Sequence, residues 1–300
     1  MFGEIPITSK IYNFLPVLPV YCVIVIVVTS MFNYYIFDGM GLTFFKLIFV
    51  PLFTLCATMT VICHSYSMLT DPGKIEPNLL PTEVAIQCDE LFCKKCQKRR
   101  PARTHHCRVC NRCILKMDHH CPWVANCVGY NNQKFFYQFL FYATLGDCIA
   151  FFCLLVKVFE MDMKVPSTAN KPGTQISVGE LIWVMRGPIY LIVGTMTSFA
   201  MTASIGFLFC FQTYIIKNNL TTLENKSLKN HKDNPYFHNN GIHNIKIVLG
   251  LNSYYEWFIP VFYPNIYNNG HFFTTPKEND ANYHNKNYLV LGDDVDASKI

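Results

Sequence analysis

Four long apolar runs limit what this chain can fold into more than any other feature. A helix that crosses a bilayer needs about 20 mostly apolar residues. Runs of that kind extend over residues 14–37, 42–69, 135–159 and 188–216. The first is too long for a cleaved signal peptide, and no small-residue cleavage site follows it. One or two helices buried in a soluble core would be the alternative. Four such runs in 300 residues, only 15% of them charged, argue against it, because soluble domains carry about 25%. The expected fold class is a polytopic α-helical membrane protein with four transmembrane helices.

Lysine and arginine placement predicts its orientation. Residues 38–41 hold neither, residues 160–187 hold Lys164, Lys171 and Arg186, and residues 70–134 hold eleven. The middle loop is therefore expected to be cytoplasmic, as are both termini. The organisation reads as an N-terminus over 1–13, helices one and two over 14–69 and a cytoplasmic loop over 70–134. Helices three and four follow over 135–216, then a C-terminal region over 217–300. Apolar positions recur in that region through Trp257 and Phe258, whereas the polar composition after about residue 265 predicts mobility.

Six of the 14 cysteines, namely Cys22, Cys56, Cys63, Cys148, Cys153 and Cys210, lie in or beside the apolar runs and read as small core residues. The other eight lie in the loop, where a reducing cytosol favours metal binding or catalysis over disulfides. Cys88 stands apart. Eleven donors follow within 35 residues: Cys93, Cys96, His105, His106, Cys107, Cys110, Cys113, His119, His120, Cys121 and Cys127. Structural zinc takes four Cys or His ligands, and two-residue gaps present two of them from one turn. Two ions use eight donors and leave three.

Residues 118–121 read Asp-His-His-Cys. In an extended segment side chains alternate, so His119 and Cys121 share a face and His120 points the other way. His120 can then reach a metal while His119 reaches the Cys121 thiol and Asp118 orients the imidazole. That is the division of labour of a nucleophilic triad. Nine Lys or Arg and no acid between Lys94 and Lys116 favour a thiolate. A fifth metal ligand or an inert buried thiol is the competing reading of Cys121.

The spacing from Cys93 to Cys127 resembles the cysteine-rich domain of the DHHC protein S-acyltransferases, also called palmitoyltransferases. Asp71-Pro72-Gly73 and Thr221-Thr222-Leu223-Glu224 are similar to two further motifs of that family, and the stretch bearing Asn244 resembles its C-terminal segment. Ala125 departs from the polar residue that many members carry there. The resemblance implies one structural zinc on Cys93, Cys96, His106 and Cys113, and a second on Cys107, Cys110, His120 and Cys127, with His105 spare. It implies that Cys121 is acylated by palmitoyl-CoA, with His119 as base and Asp118 orienting it. The acyl group then passes to membrane-proximal cysteines of substrate proteins at the cytoplasmic face.

Further expectations concern location and ligands. The expected partners are the lipid bilayer, palmitoyl-CoA and those substrate proteins, with no nucleic acid. The expected location is an endomembrane, Golgi or ER, rather than the plasma membrane. The basic stretch is expected to attract CoA phosphates or anionic lipid. Gly146 and Asp147, in mid-span, are expected to shape the floor of an acyl cavity, since ionisable groups at that depth face a cavity or a partner. A membrane-tethered zinc module without catalysis is the alternative. A zinc hydrolase or deaminase needs a glutamate beside the metal, and none lies between Leu91 and Lys134.

Overall fold

A computed structural model describes residues 14–35, 44–75, 92–160, 178–227, 234–237, 240–250 and 253–261. The expected N-terminal segment, the loops at 38–41 and 161–177, Cys88 and the tail beyond 261 lie outside the described residues.

Four helices form a bundle: α1 (Val17–Tyr35), α2 (Phe44–Leu69), α3 (Gln133–Glu160) and α4 (Val178–Lys217). Three of them are long and apolar enough to cross a membrane, over Leu47–Leu69, Gln133–Phe159 and Pro188–Lys217. The described apolar stretch of α1, Val17–Asn33, is shorter. Helix α4 begins ten residues before Pro188, the expected start of its run. Proline inside such helices is tolerated because neighbours re-satisfy the freed backbone groups.

Helix α3 packs along α2 and α4, while α1 lies chiefly against α4. Half of α3's apolar stretch is buried inside the protein, against 22% for α4. Leu18, Leu55, Phe152, Phe199 and Phe207 point outward. Exposed apolar surface on this scale is what hydrocarbon covers. Among the span cysteines, Cys56, Cys63 and Cys153 are buried as expected, but Cys22 and Cys210 are exposed.

Between α2 and α3 the chain folds into three two-stranded antiparallel hairpins. They are β1–β2 (Phe92–Cys93 with Lys98–Arg99), β3–β4 (His105–Cys107 with Arg112–Ile114) and β5–β6 (His119–Cys121 with Asn126–Val128). A small apolar cluster of Cys107, Ile114, Met117 and Cys127, with Cys110 and Leu223 packed against it, lies between them, and Val124 and Val128 of the third hairpin join the core of the bundle. Regions with so small an apolar core commonly draw folding free energy from a bound metal.

The module is fixed to the bundle at both ends. Asp71 accepts a hydrogen bond from the Gly73 amide and an ion pair from Arg112 (2.7 Å). Gly73 has a φ of 123°, and a Cβ there would meet the Leu115 Cβ at 3.1 Å. Asn126 Nδ2 donates to the last carbonyls of α2, those of Ser67, Met68 and Thr70. Beyond α4 come α5 (Thr222–Ser227), α6 (Gly241–Leu249) and a 3₁₀ turn over Tyr254–Trp257, after which Gln138 and Tyr142 of α3 donate to the carbonyls of Trp257, Ile259 and Phe258. Buried Asn244 donates to the Lys217 carbonyl and so caps α4.

Candidate active site and metal centres

The hairpin registers set the metal donors in place. His106 faces Cys113 across β3–β4, and His120 faces Cys127 across β5–β6. Each pair meets the Cys-x2-Cys turn of the preceding hairpin. The result is two groups, Cys93/Cys96/His106/Cys113 and Cys107/Cys110/His120/Cys127, each with all donor atoms within 4.8 Å of one another. The sulfur-to-Nδ1 separations are 3.6, 3.2 and 4.0 Å in the first group and 3.8, 3.4 and 3.6 Å in the second. Zinc bonds of ~2.0–2.3 Å in a tetrahedron put neighbouring donors about 3.5 Å apart. Three thiols and an imidazole at this spacing fit a closed structural zinc site, and two such centres would staple the three hairpins in series.

The donor numbers hold a repeat that ligand counting overlooks. Shifting 93, 96, 106 and 113 by 14 gives 107, 110, 120 and 127. The same shift carries Cys107 onto Cys121, His105 onto His119, left-handed Gln97 onto left-handed Asn111, and Asn111 onto Ala125, also left-handed at φ 47°. Cys121 therefore occupies the first-cysteine position of a third turn whose second cysteine is replaced by buried Val124. His105 belongs to neither metal group; burial and the Arg100 charge hold its pKa below the usual imidazole value.

Asp118 has no exposed surface, and four hydrogen bonds hold its carboxylate. His119 Nδ1 donates at 2.6 Å and Gln212 Nε2 at 3.1 Å to one oxygen, the Thr222 hydroxyl reaches the same oxygen at 2.9 Å, and the Thr222 amide donates to the other at 2.7 Å. Burial raises the carboxyl's pKa, but these donors overcome it and leave it below the usual value. For His119, burial lowers the pKa, whereas the bonds and charges of Asp118 and the Cys121 thiol push it up to about 9. With Nδ1 on Asp118, Nε2 is the nitrogen left for the thiol. The His119 ring also sits edge-on to Phe136, centroids 5.3 Å apart.

The threonine that holds Asp118 is itself anchored. Thr221 and Glu224 form a reciprocal capping box: the Glu224 amide donates to the Thr221 hydroxyl and the Thr221 amide to the Glu224 carboxylate. Buried Arg103 then clamps Glu224 bidentately at 2.7 and 2.8 Å and stacks over Tyr236. Lys116 is buried too, donates to Gln133 Oε1, and is pulled by burial to about 7. Two cations of the basic stretch, Arg103 and Lys116, thus face inward, which leaves the other seven to attract phosphates or anionic lipid.

A cavity of about 400 Å³ opens beside Cys121 and runs between all four bundle helices. Trp123, Phe136 and Phe139 line it near the thiol, and valines of α1 line its flank. Gly146 and Asp147 lie on its wall, and Asp147 is three turns along α3 from Phe136, about 16 Å at 1.5 Å per residue. Gly146 also lets α2 approach, since a Cβ would meet the Cys56 Cβ at 3.2 Å.

Comparison with known proteins identifies this arrangement. The DHHC palmitoyltransferase family profile matches residues 86–229. Probable protein S-acyltransferase 15 of Arabidopsis thaliana is 31% identical over 229 residues, covering 71% of this chain and 84% of that protein. The chain belongs to the DHHC palmitoyltransferase family. Palmitoyltransferase ZDHHC3 of Homo sapiens is 39% identical over 150 residues, and Palmitoyltransferase ZDHHC2 of Mus musculus 33% over 175. Those matches cover 49% and 43% of the two proteins. In this DHHC member the sequence reading missed Gln212, Arg103 and the cavity-side residues of α1. Gln212 is 94 positions from Asp118, and no local spacing marks such a contact.

Proposed function

We propose that this DHHC family member is a protein S-palmitoyltransferase in which Cys121 is the nucleophile. One observation carries the reading: Cys121 both lines the apolar cavity and lies beside His119, which buried Asp118 holds by Nδ1. His119 Nε2 takes the thiol proton, and Sγ attacks the thioester carbonyl of palmitoyl-CoA. The carbon–sulfur bond to CoA breaks, and the CoA thiolate leaves with the proton from His119. A substrate cysteine thiol then gives its proton to His119 and its sulfur attacks the thioester carbonyl on Cys121; the acyl bond to Cys121 breaks and Cys121 departs as thiolate. Asp118 holds the imidazole orientation throughout and stabilises its charged form.

The acyl chain lies in the cavity, where each methylene gains ~0.8 kcal/mol on leaving water. Half of a ~30 Å hydrocarbon core is the reach of one chain, so Asp147 stands near its methyl end. Gly146→Leu is expected to change acyl-chain preference; unchanged preference removes that role. The eight-donor set supplies two structural zinc sites that order the hairpins and orient Cys121. We read α1 as the fourth span, with the zinc module and both termini cytoplasmic and the protein in an endomembrane. Substrates are membrane-associated proteins with a cysteine near the bilayer.

Purified protein incubated with palmitoyl-CoA is expected to carry a hydroxylamine-sensitive acyl group on Cys121 and to pass it to a thiol acceptor. A zinc module without catalysis would show neither.

A further inference from the structure

Behind the Cys121 hairpin, α2 carries a histidine that the proposed reaction does not use. His64 is five residues from the end of α2 and has no exposed surface. Its Nε2 lies 3.0 Å from the Trp123 carbonyl oxygen, and its Nδ1 lies 3.2 Å from the Tyr21 hydroxyl. A carbonyl only accepts, so Nε2 carries the proton; Nδ1 is then the acceptor and the Tyr21 hydroxyl the donor. One neutral tautomer satisfies both nitrogens. The ring also packs edge-on against Tyr21 of α1 and Phe139 of α3, with centroids 5.3 and 5.1 Å away. Three helices therefore converge on this one imidazole.

Its target is the backbone of the catalytic turn. Cys121 caps the single 3₁₀ turn Pro122–Val124, and Trp123 is the middle residue of that turn. Upstream of the thiol, His120 is fixed by its ladder partner Cys127 and its metal group. Downstream, Pro122 offers no amide, and His64 ties the turn to the bundle through the carbonyl of its second residue. Trp123, half-exposed, lines the cavity beside Cys121. We infer that His64 is a positioning residue for the nucleophile: by holding the Trp123 carbonyl it aims the Cys121 sulfur at the cavity and keeps Trp123 in its wall.

This rests on the reading that Cys121 is the nucleophile. The role is separable from holding the module on the bundle. Asn126 and Asn132 bind the carbonyls at the end of α2 from the other side of the hairpin. They keep β5–β6 docked when His64 is replaced.

The test uses the full-length protein in detergent, with bound zinc measured for each preparation. His64→Phe keeps a ring and loses both hydrogen bonds. His64→Gln restores a donor and an acceptor, and Tyr21→Phe removes only the outer partner. Cys121 autoacylation is followed with palmitoyl-CoA. His64→Phe is expected to keep the wild-type zinc content and the KM for palmitoyl-CoA while kcat falls about 10- to 100-fold, as for a small misplacement of a reacting group. His64→Gln is expected to recover most of that loss, and Tyr21→Phe to lose a few-fold. Wild-type kcat in His64→Phe overturns the inference. So does a His64→Gln variant no faster than His64→Phe, or a loss that appears only together with lost zinc. If His64→Phe does not fold, Tyr21→Phe decides, and an unchanged kcat there overturns the inference. An acyl adduct absent from Cys121 in the wild type defeats the nucleophile reading instead, independently of what His64 does.

Discussion

The β3–β4 and β5–β6 hairpins have the same build and opposite fates. Both place a histidine opposite a cysteine, His106 with Cys113 and His120 with Cys127. Both begin their turn with a cysteine, Cys107 or Cys121, and end it on a left-handed residue, Asn111 or Ala125. In β3–β4 the turn supplies a second cysteine, Cys110, and the pair meets the donors of the next hairpin. In β5–β6 that second position is Val124, buried against the bundle, and α3 follows instead of a fourth hairpin. The series of metal staples ends there. The first thiol of the third turn belongs to neither donor group and lines the cavity. The same turn geometry thus presents a metal donor in one hairpin and, in the next, the thiol we propose as the nucleophile.

The largest expected contrast lies between two cysteines of this one hairpin. Cys121→Ser is expected to keep two zinc ions and a wild-type melting profile while losing autoacylation. Cys127→Ser, by opening a closed site, is expected to lose zinc and unfold the module, since metal binding is its folding energy. Metal analysis with thermal melting separates the two, and equal zinc loss in both would erase the distinction between ligand and nucleophile. Next in size is Asp118→Asn, which keeps the shape but removes the charge that orients His119. Autoacylation should drop on the order of 10²–10⁴-fold, read by single-turnover kinetics at constant zinc content.

Val124→Cys tests the turn comparison directly by recreating the Cys-x2-Cys pattern. The expected outcome is a variant that oxidises readily between residues 121 and 124, loses autoacylation without reductant and regains part of it with reductant, as seen by thiol mapping. A smaller effect is set by pH. The His119 pKa is raised to about 9, so the stability of its charged form is complete below ~6.5, the free imidazole value, and is lost as pH rises through about 9. Autoacylation should therefore decline above about pH 9 as the imidazolium that protonates the leaving CoA disappears. A pH profile of single-turnover rates checks this. The smallest effect concerns Ala125, which pays for a left-handed conformation of about 1–2 kcal/mol. Ala125→Asn, matching Asn111 in the neighbouring hairpin, should stabilise the module by about 0.5–1 kcal/mol in thermal melts, with activity unchanged.

Much of this was legible before any coordinates. Apolar length marked where the first three helices lie to within a few residues, because hydrocarbon thickness sets it, while α4 starts ten residues before its apolar run. Donor counting separated eight ligands from three spares, because zinc takes four. The family resemblance then assigned which eight. The 14-residue repeat was equally present in the numbering and follows from identical hairpins, but counting ligands hides it because the third copy holds no ion. What no local pattern carries is contact across the fold. His64 reaches Trp123 over 59 positions, Gln212 reaches Asp118 over 94 and Arg103 reaches Glu224 over 121. His64 and Gln212 lie in apolar helices and Arg103 in the loop between β2 and β3, and the partner of each is set by how distant elements pack. Gly146 and Asp147 were found because polarity in mid-span is rare enough to signal a cavity. The inward turn of Arg103 and Lys116 was invisible because basic residues in a loop ordinarily face water.

The proposed reaction needs Cys121 to be a zinc-free thiol within a zinc-ordered hairpin. Mass spectrometry of the intact protein, kept under non-denaturing conditions after brief exposure to palmitoyl-CoA, tests it most directly. The expected result is one palmitoyl group and two zinc ions on the same molecule, with the acyl group mapped to Cys121 on digestion and released by hydroxylamine. Acylation at another cysteine, or acyl-protein that has given up a zinc ion, would contradict it.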